Sequence, residues 1–162
     1  MKIRQVLLGV FTLVVLVVVN GLVIQKELLL KNGREILLEL APVDPRSLIQ
    51  GDYMALRYAI SEQIERASPA RDGFAIVRLD ANNVATFVGI YQPGMALGPD
   101  ETLLRFRERG EGVYIGPESF FFQEGDAEYY REAEYGALRV GNNGSVVLVG
   151  LRGKELEPLG PP

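Results

Sequence analysis

The chain has 162 residues and a formal net charge of −4, and it contains neither cysteine nor histidine. Without those two residue types it cannot build a typical zinc site, a thiol nucleophile or a Ser-His-Asp triad, and we expect no cofactor. An acidic chain also lacks the cationic surface that nucleic acid and anionic lipid require, so we predict no nucleic-acid partner and no anionic lipid as a main partner.

The N-terminal part of the chain carries an almost unbroken apolar run over residues 6–24, in which only Thr12 and Asn20 are polar. As a helix, this run spans about 28 Å, close to the hydrocarbon thickness of a bilayer. Its length and the absence of a small-x-small cleavage site favour a retained anchor over a signal peptide. A buried core helix is rarely so apolar on every side. We therefore predict a membrane anchor over residues 1–31, with a single transmembrane α-helix at about residues 6–24.

The charges that flank the apolar run bear on its orientation. Lys2 and Arg4 precede it and favour a cytoplasmic N-terminus, while Lys26, Lys31 and Arg34 follow it and weaken that bias. We interpret the chain as a single-pass protein with its N-terminus in the cytoplasm and its C-terminal domain outside.

Residues 34–157 show a period-two pattern that is typical of strands, broken by turn signals at about ten-residue spacing. Ile36, Leu38 and Leu40 alternate with polar residues in the first strand. Later strands are predicted at residues 74–79, 84–91, 103–109, 112–116, 119–123, 137–140 and 145–151. Two pairs of these strands are joined by turn-forming residues, 80–83 and the Asn143-Gly144 dipeptide, and therefore read as hairpins.

One short helix is predicted at residues 126–135, because good helix formers follow an acidic first turn and Gly136 ends the segment. Residues 158–162 are rich in proline and glycine and are expected to form a frayed tail. The fold class is thus mainly β, a sandwich or partial barrel with one short helix, preceded by the transmembrane helix.

The most distinctive segment of the predicted domain is residues 41–58. Gly51 can adopt a positive φ that redirects the chain, and Asp52 can accept hydrogen bonds from nearby backbone amides. Met54, Leu56 and Tyr58 then fall on one face of the following strand. The pattern indicates a turn that enters a core strand.

This segment resembles the GDYXXLXY family of membrane-anchored bacterial proteins. The resemblance rests on the motif and on the Asp-Pro-Arg run before it, and it makes these the candidate binding or motif residues: Asp44, Pro45, Arg46, Gly51, Asp52, Tyr53, Leu56 and Tyr58. It implies a bacterial inner-membrane protein with a periplasmic domain and no assigned catalytic residues. The family's genes accompany those of multi-spanning membrane proteins, which implies a polytopic membrane partner in addition to the lipid bilayer.

Three functions compete on these observations. The first is an adaptor or accessory subunit of an envelope complex with no catalysis of its own. The second is a signal-peptidase-like serine hydrolase that uses Ser47 with Lys154, although a lysine base needs burial. The third is a small module that binds an anionic ligand through Arg105, Arg107 and Arg109, which alternate along one strand.

Overall fold

The computed structural model describes residues 2–41, 53–67, 71–110 and 112–161. Helix α1 (Lys2–Asn32) is followed after one residue, Gly33, by strand β1 (Arg34–Glu39). By length and composition α1 could cross a membrane, and its most apolar part is not buried inside the structure. A buried core helix is therefore excluded.

The rest of the described chain is mainly β, as predicted. Nine strands follow β1: β2 (Tyr53–Ala55), β3 (Asp72–Leu79), β4 (Ala85–Ile90), β5 (Glu101–Arg109), β6 (Gly112–Tyr114), β7 (Ser119–Phe121), β8 (Tyr135–Val140), β9 (Val146–Arg152) and β10 (Pro158–Leu159). One α-helix, α2 (Ile60–Ala67), interrupts them, and a 3₁₀ helix covers Asp126–Tyr130.

The strands form two four-stranded antiparallel sheets and one two-stranded sheet. The four-stranded sheets have the orders β1-β8-β9-β10 and β4-β3-β5-β6, and β2 pairs with β7. Two contacts join the larger sheets: a parallel bridge between Leu37 and Val84, and a 2.9 Å hydrogen bond from the Arg105 amide to the Gly144 carbonyl. These contacts curve the sheets around a shared interior, which makes a partial barrel.

The domain has a main core and a smaller one. Side chains from both large sheets and from α2 form the main core, and its largest fully buried members include Phe106, Ile36 and Leu38. The smaller core holds Met54, Leu56, Tyr130 and Leu151, with partly buried phenylalanines packed against it. The motif strand β2 and the C-terminal strands share this smaller core.

Both predicted hairpins are confirmed, and local turn chemistry explains them. Between β3 and β4, Asp80 Oδ1 accepts hydrogen bonds of 2.8 Å from the amides of Asn82 and Val84. Between β8 and β9, Gly144 has a φ of +73° and the Asn143 carboxamide oxygen accepts from the Ser145 amide at 3.1 Å. Each turn thus contains an Asp or Asn side chain that accepts backbone hydrogen bonds, together with a residue of positive φ.

The predicted helix at residues 126–135 is wrong beyond its first turn. Only the five residues of the 3₁₀ helix are helical, and they bring Tyr130 against Phe120 and Phe122, with ring centroids 4.9 and 5.4 Å apart. The backbone of Glu134 forms hydrogen bonds to neighbouring segments instead: its amide donates to the Arg152 carbonyl, and its carbonyl accepts from the Leu40 amide. These hydrogen bonds draw the chain into a sheet and prevent further helical turns.

The domain's α-helix lies elsewhere, at Ile60–Ala67, where no helix was predicted. The C-terminal segment also differs from the expected frayed tail. Pro158 and Leu159 pair with Arg152 and Leu151 as β10, so at least these two residues belong to the sheet.

Candidate functional site

The motif strand is held on both sides by backbone hydrogen bonds. β2 pairs with β7 so that Tyr53 lies opposite Phe121, and the two rings are 5.8 Å apart. The Leu56 amide donates to the Glu118 carbonyl at 2.8 Å. The Ala41 amide donates to the Arg57 carbonyl at 2.7 Å. The motif therefore runs between the end of β1 and β7, and it links the sheet that contains β1 to the two-stranded sheet.

The described motif side chains are mainly packing residues. Tyr53 is half-buried, Leu56 lies in the smaller core, and Tyr58 lies in the main core with 3% of its surface exposed. The Tyr58 hydroxyl donates to the Pro117 carbonyl at 3.4 Å, and burial raises the pKa of this phenol above its ordinary value. A Cβ added at Gly136 would lie 3.0 Å from Tyr58 Cε1, so a glycine there gives the ring its space.

Five of the candidate motif residues lie outside the described residues: Asp44, Pro45, Arg46, Gly51 and Asp52. Ser47, the nucleophile in the hydrolase hypothesis, also lies outside the described residues. Its partner Lys154 is solvent-exposed in the turn between β9 and β10. Exposure is not the environment that activates a lysine base, since such activation requires burial or a neighbouring cation.

A cavity of about 340 Å³ opens beside the motif strand. Its apolar wall includes Leu56 and Val113, while Arg57 and Glu118 supply opposite charges. Ser61, which is 5% exposed, also lines it. An apolar wall with a few polar groups is typical of a binding cavity.

The second notable region is the junction between α1 and the domain. Arg139 donates from Nη1 to the Gly33 carbonyl at 3.0 Å and forms an ion pair with Glu35 at 3.0 Å. Arg152 reaches the other Glu35 oxygen at 3.3 Å. All three charged side chains are one-quarter to one-third exposed, so this network is shielded from solvent more than an ordinary surface pair.

The third region is a groove of about 330 Å³, which we call the basic groove, between β5, β6, the β8–β9 turn and the end of α1. Its charged lining consists of Lys26, Arg105, Arg107, Arg109 and Glu118. The three arginines alternate with buried Leu104 and Phe106, as the sequence predicts for one face of a strand. The sequence alone does not indicate that Lys26 belongs to this groove, because its place beside β5 depends on the fold.

Glu101 lies on the same strand as the three arginines of the basic groove, but its carboxylate is bound by other residues. It accepts hydrogen bonds from the Gly98 amide at 2.9 Å and from Arg78 at 2.8 Å. The amide first and the guanidinium second lower the pKa of the Glu101 carboxyl. Within the described part of the chain, no group of three or more acidic residues is placed to hold a metal ion.

The structure thus defines a class of protein with a long apolar helix and a β-rich, partial-barrel domain joined directly to it. The family profile described as GDYXXLXY protein matches residues 15–151, which covers most of both parts. The chain therefore belongs to the GDYXXLXY family. No curated protein and no solved structure matched the chain.

Proposed function

We propose that the protein is a single-pass accessory or adaptor subunit of a bacterial envelope complex, with its β-rich domain on the periplasmic side of the inner membrane. The observation that carries this proposal is the junction between α1 and the sheet, where Glu35, Arg139 and Arg152 form a partly shielded network of ion pairs. A signal peptide is removed after export, so a folded domain has no need of contacts to it. Here the last turns of α1 line a groove together with the β8–β9 turn, and the Arg139 guanidinium binds the first residue after the helix.

Hydrogen bonding within α1 supports its place in lipid. Thr12 Oγ1 donates to the Leu8 carbonyl at 2.9 Å, and Asn20 Nδ2 donates to the Leu16 carbonyl at 2.8 Å. Polar donors inside a bilayer need such partners, because water is absent there. These bonds make both polar side chains compatible with the hydrocarbon layer.

Part of α1 is suited to contact with another transmembrane helix. Gly21 lies beside Asn20, and a Cβ added at Gly21 would meet no atom of this chain within 4 Å. Small and amide residues allow close approach and hydrogen bonding between helices in a membrane. A polytopic partner would therefore contact α1 near Asn20 and Gly21, and would meet the domain above the bilayer.

The test is purification of the tagged full-length chain from its host in mild detergent, followed by mass spectrometry. We expect a polytopic membrane protein in fixed stoichiometry. The Gly21→Leu variant should lose this partner, because a bulky side chain blocks close helix approach. Gly9→Leu is the matched control: Gly9 has equally open surroundings and lies about 120° around the helix from Gly21.

Recovery of the chain alone from wild-type cells would contradict an adaptor role. Equal partner loss in the Gly9→Leu and Gly21→Leu variants would contradict the assignment of the contact to Asn20 and Gly21. Partner retention in both variants would contradict it as well.

A further inference from the structure

We infer that the basic groove binds the phosphate of an anionic phospholipid headgroup. The inference rests on the proposed membrane anchor, and it adds a ligand site to the adaptor role. The chain as a whole is acidic, with 21 Asp and Glu against 17 Lys and Arg, yet this one groove gathers four cationic side chains.

The charges of the groove are only partly neutralised by its own residues. Glu118 is the carboxylate among its described lining, and it lies 3.7 Å from Arg109. Among the described residues, Lys26, Arg105 and Arg107 take part in no ion pair. Three positive charges are thus directed into one concave space, which raises the local concentration of anions.

The backbone around the groove is fixed by the sheets. Arg107 lies opposite Tyr114 in the β5–β6 ladder, and the Arg105 amide is bonded to Gly144 in the β8–β9 turn. The bases of both arginines are therefore held in regular sheet geometry. Guanidinium groups bind phosphate oxygens through paired N–H donors, and a lysine ammonium adds a point charge.

The position of Lys26 indicates a lipid as the source of the phosphate. Lys26 follows the last residue of the apolar run, Ile24, by two positions, a rise of about 3 Å along the helix. The polar headgroup layer extends several Å beyond the hydrocarbon edge. If the apolar run fills the hydrocarbon layer, Lys26 lies among the headgroups, and the arginines that share its groove are at a similar level.

The size of the groove is also suitable. A volume of about 330 Å³ is at the lower end of the range for small-molecule sites, and a phosphate with its glycerol moiety is a small ligand. The acyl chains would remain in the bilayer beside α1, whose apolar side chains are exposed along its length.

The test is native mass spectrometry of the full-length chain in detergent, titrated separately with phosphatidylglycerol and with phosphatidylcholine. We expect retention of phosphatidylglycerol in preference to phosphatidylcholine. The Arg105→Gln/Arg107→Gln double variant should lose this preference, with a fall in affinity of roughly thirtyfold for two charges near an anionic surface. Far-UV circular dichroism of the variant checks that it is folded.

Arg66→Gln/Arg131→Gln is the matched control, since it also removes two charges and both arginines lie in exposed ion pairs outside the groove. It should bind phosphatidylglycerol like the wild type. Equal loss in the two double variants would overturn the inference, because it would show an effect of net charge alone. Unchanged binding in the Arg105→Gln/Arg107→Gln variant would overturn it too.

A further arm distinguishes a lipid from a soluble anion. If inorganic phosphate at millimolar concentration displaces phosphatidylglycerol from the wild type, the groove is a site for soluble phosphate and the lipid assignment is wrong. Failure of the anchor would be seen separately, as release of the wild-type chain from membranes, whatever the lipid titration shows.

Discussion

Tyr58 shows how the family motif acts at the scale of one residue. Its ring is almost fully buried among residues of both large sheets, while its hydroxyl reaches a single described acceptor at the long distance of 3.4 Å. Packing therefore accounts for more of its contribution than the hydrogen bond. The same holds for Leu56, which has no polar atom in its side chain and lies in the smaller core.

Two substitutions at Tyr58 separate packing from the hydroxyl. Tyr58→Phe keeps the ring and should reduce the free energy of unfolding by no more than about 1 kcal/mol. Tyr58→Ala leaves a cavity and should reduce it by about 3–5 kcal/mol. Denaturant unfolding of the two variants, followed by circular dichroism, measures both values. A Tyr58→Phe protein that is folded but does not bind its partner would contradict a packing role.

Glu101 gives a prediction that depends on pH. Its carboxyl pKa is lower in the folded chain than in the unfolded chain, because the Gly98 amide and Arg78 bind the charged form. The stabilisation is therefore present above the unfolded-state pKa and is lost as the pH falls through the folded-state pKa.

The Glu101→Gln variant should accordingly be less stable than the wild type at neutral pH, and the difference should shrink as the pH is lowered through the carboxyl range. Thermal unfolding across that range measures the difference. Glu132→Gln, at an exposed position, is the control and should show little effect. A Glu101→Gln deficit that stays constant with pH would contradict the pKa assignment.

At the scale of secondary-structure elements, the C-terminal strand β10 forms one edge of its sheet. Leu159 pairs with Leu151 and packs against the smaller core. Leu159→Ala should therefore lower the free energy of unfolding by about 1 kcal/mol, as expected for a partly buried leucine. Pro161→Ala, at an exposed position, should have little effect. Equal stability of the wild type and Leu159→Ala would show instead a frayed terminus, as the sequence had suggested.

The elements that sequence analysis predicted correctly depend on local chemistry. The period-two pattern correctly indicates that the side chains of Leu104 and Phe106 in β5 are buried. The turn residues 80–83 and 141–144 determine the hairpins. Helix α2 was missed because the alternation that begins at Met54 continues as far as Ile60. The signal for α2 is the four-residue spacing of Ile60 and Ile64, both buried.

The candidate sites were harder to predict than the strands. Glu35 and Arg139 are separated by more than a hundred residues, and they meet only because β1 pairs with β8. Lys26 approaches the arginines of β5 through the orientation of α1. Contacts between residues so far apart in sequence leave no local pattern. The sequence therefore indicates the three arginines of β5 as a candidate site, but it does not indicate Lys26, which also lines the groove.

At the scale of the whole molecule, α1 and the sheet are joined with a single residue between them. A helix of 31 residues is about 46 Å long, which exceeds the hydrocarbon thickness, so its last turns would extend beyond that layer and hold the domain at the membrane surface. The Arg139 side chain connects β8 to the residue after α1, and the basic groove lies beside the part of α1 that follows the apolar run. The proposed adaptor role depends on this arrangement.

Fractionation of the native host tests the retained anchor most directly, when it is combined with mass spectrometry of the N-terminal peptides. We expect the chain to stay in the membrane pellet after alkaline carbonate extraction and still to contain the apolar run of residues 6–24. A water-soluble chain that begins after that run would contradict it.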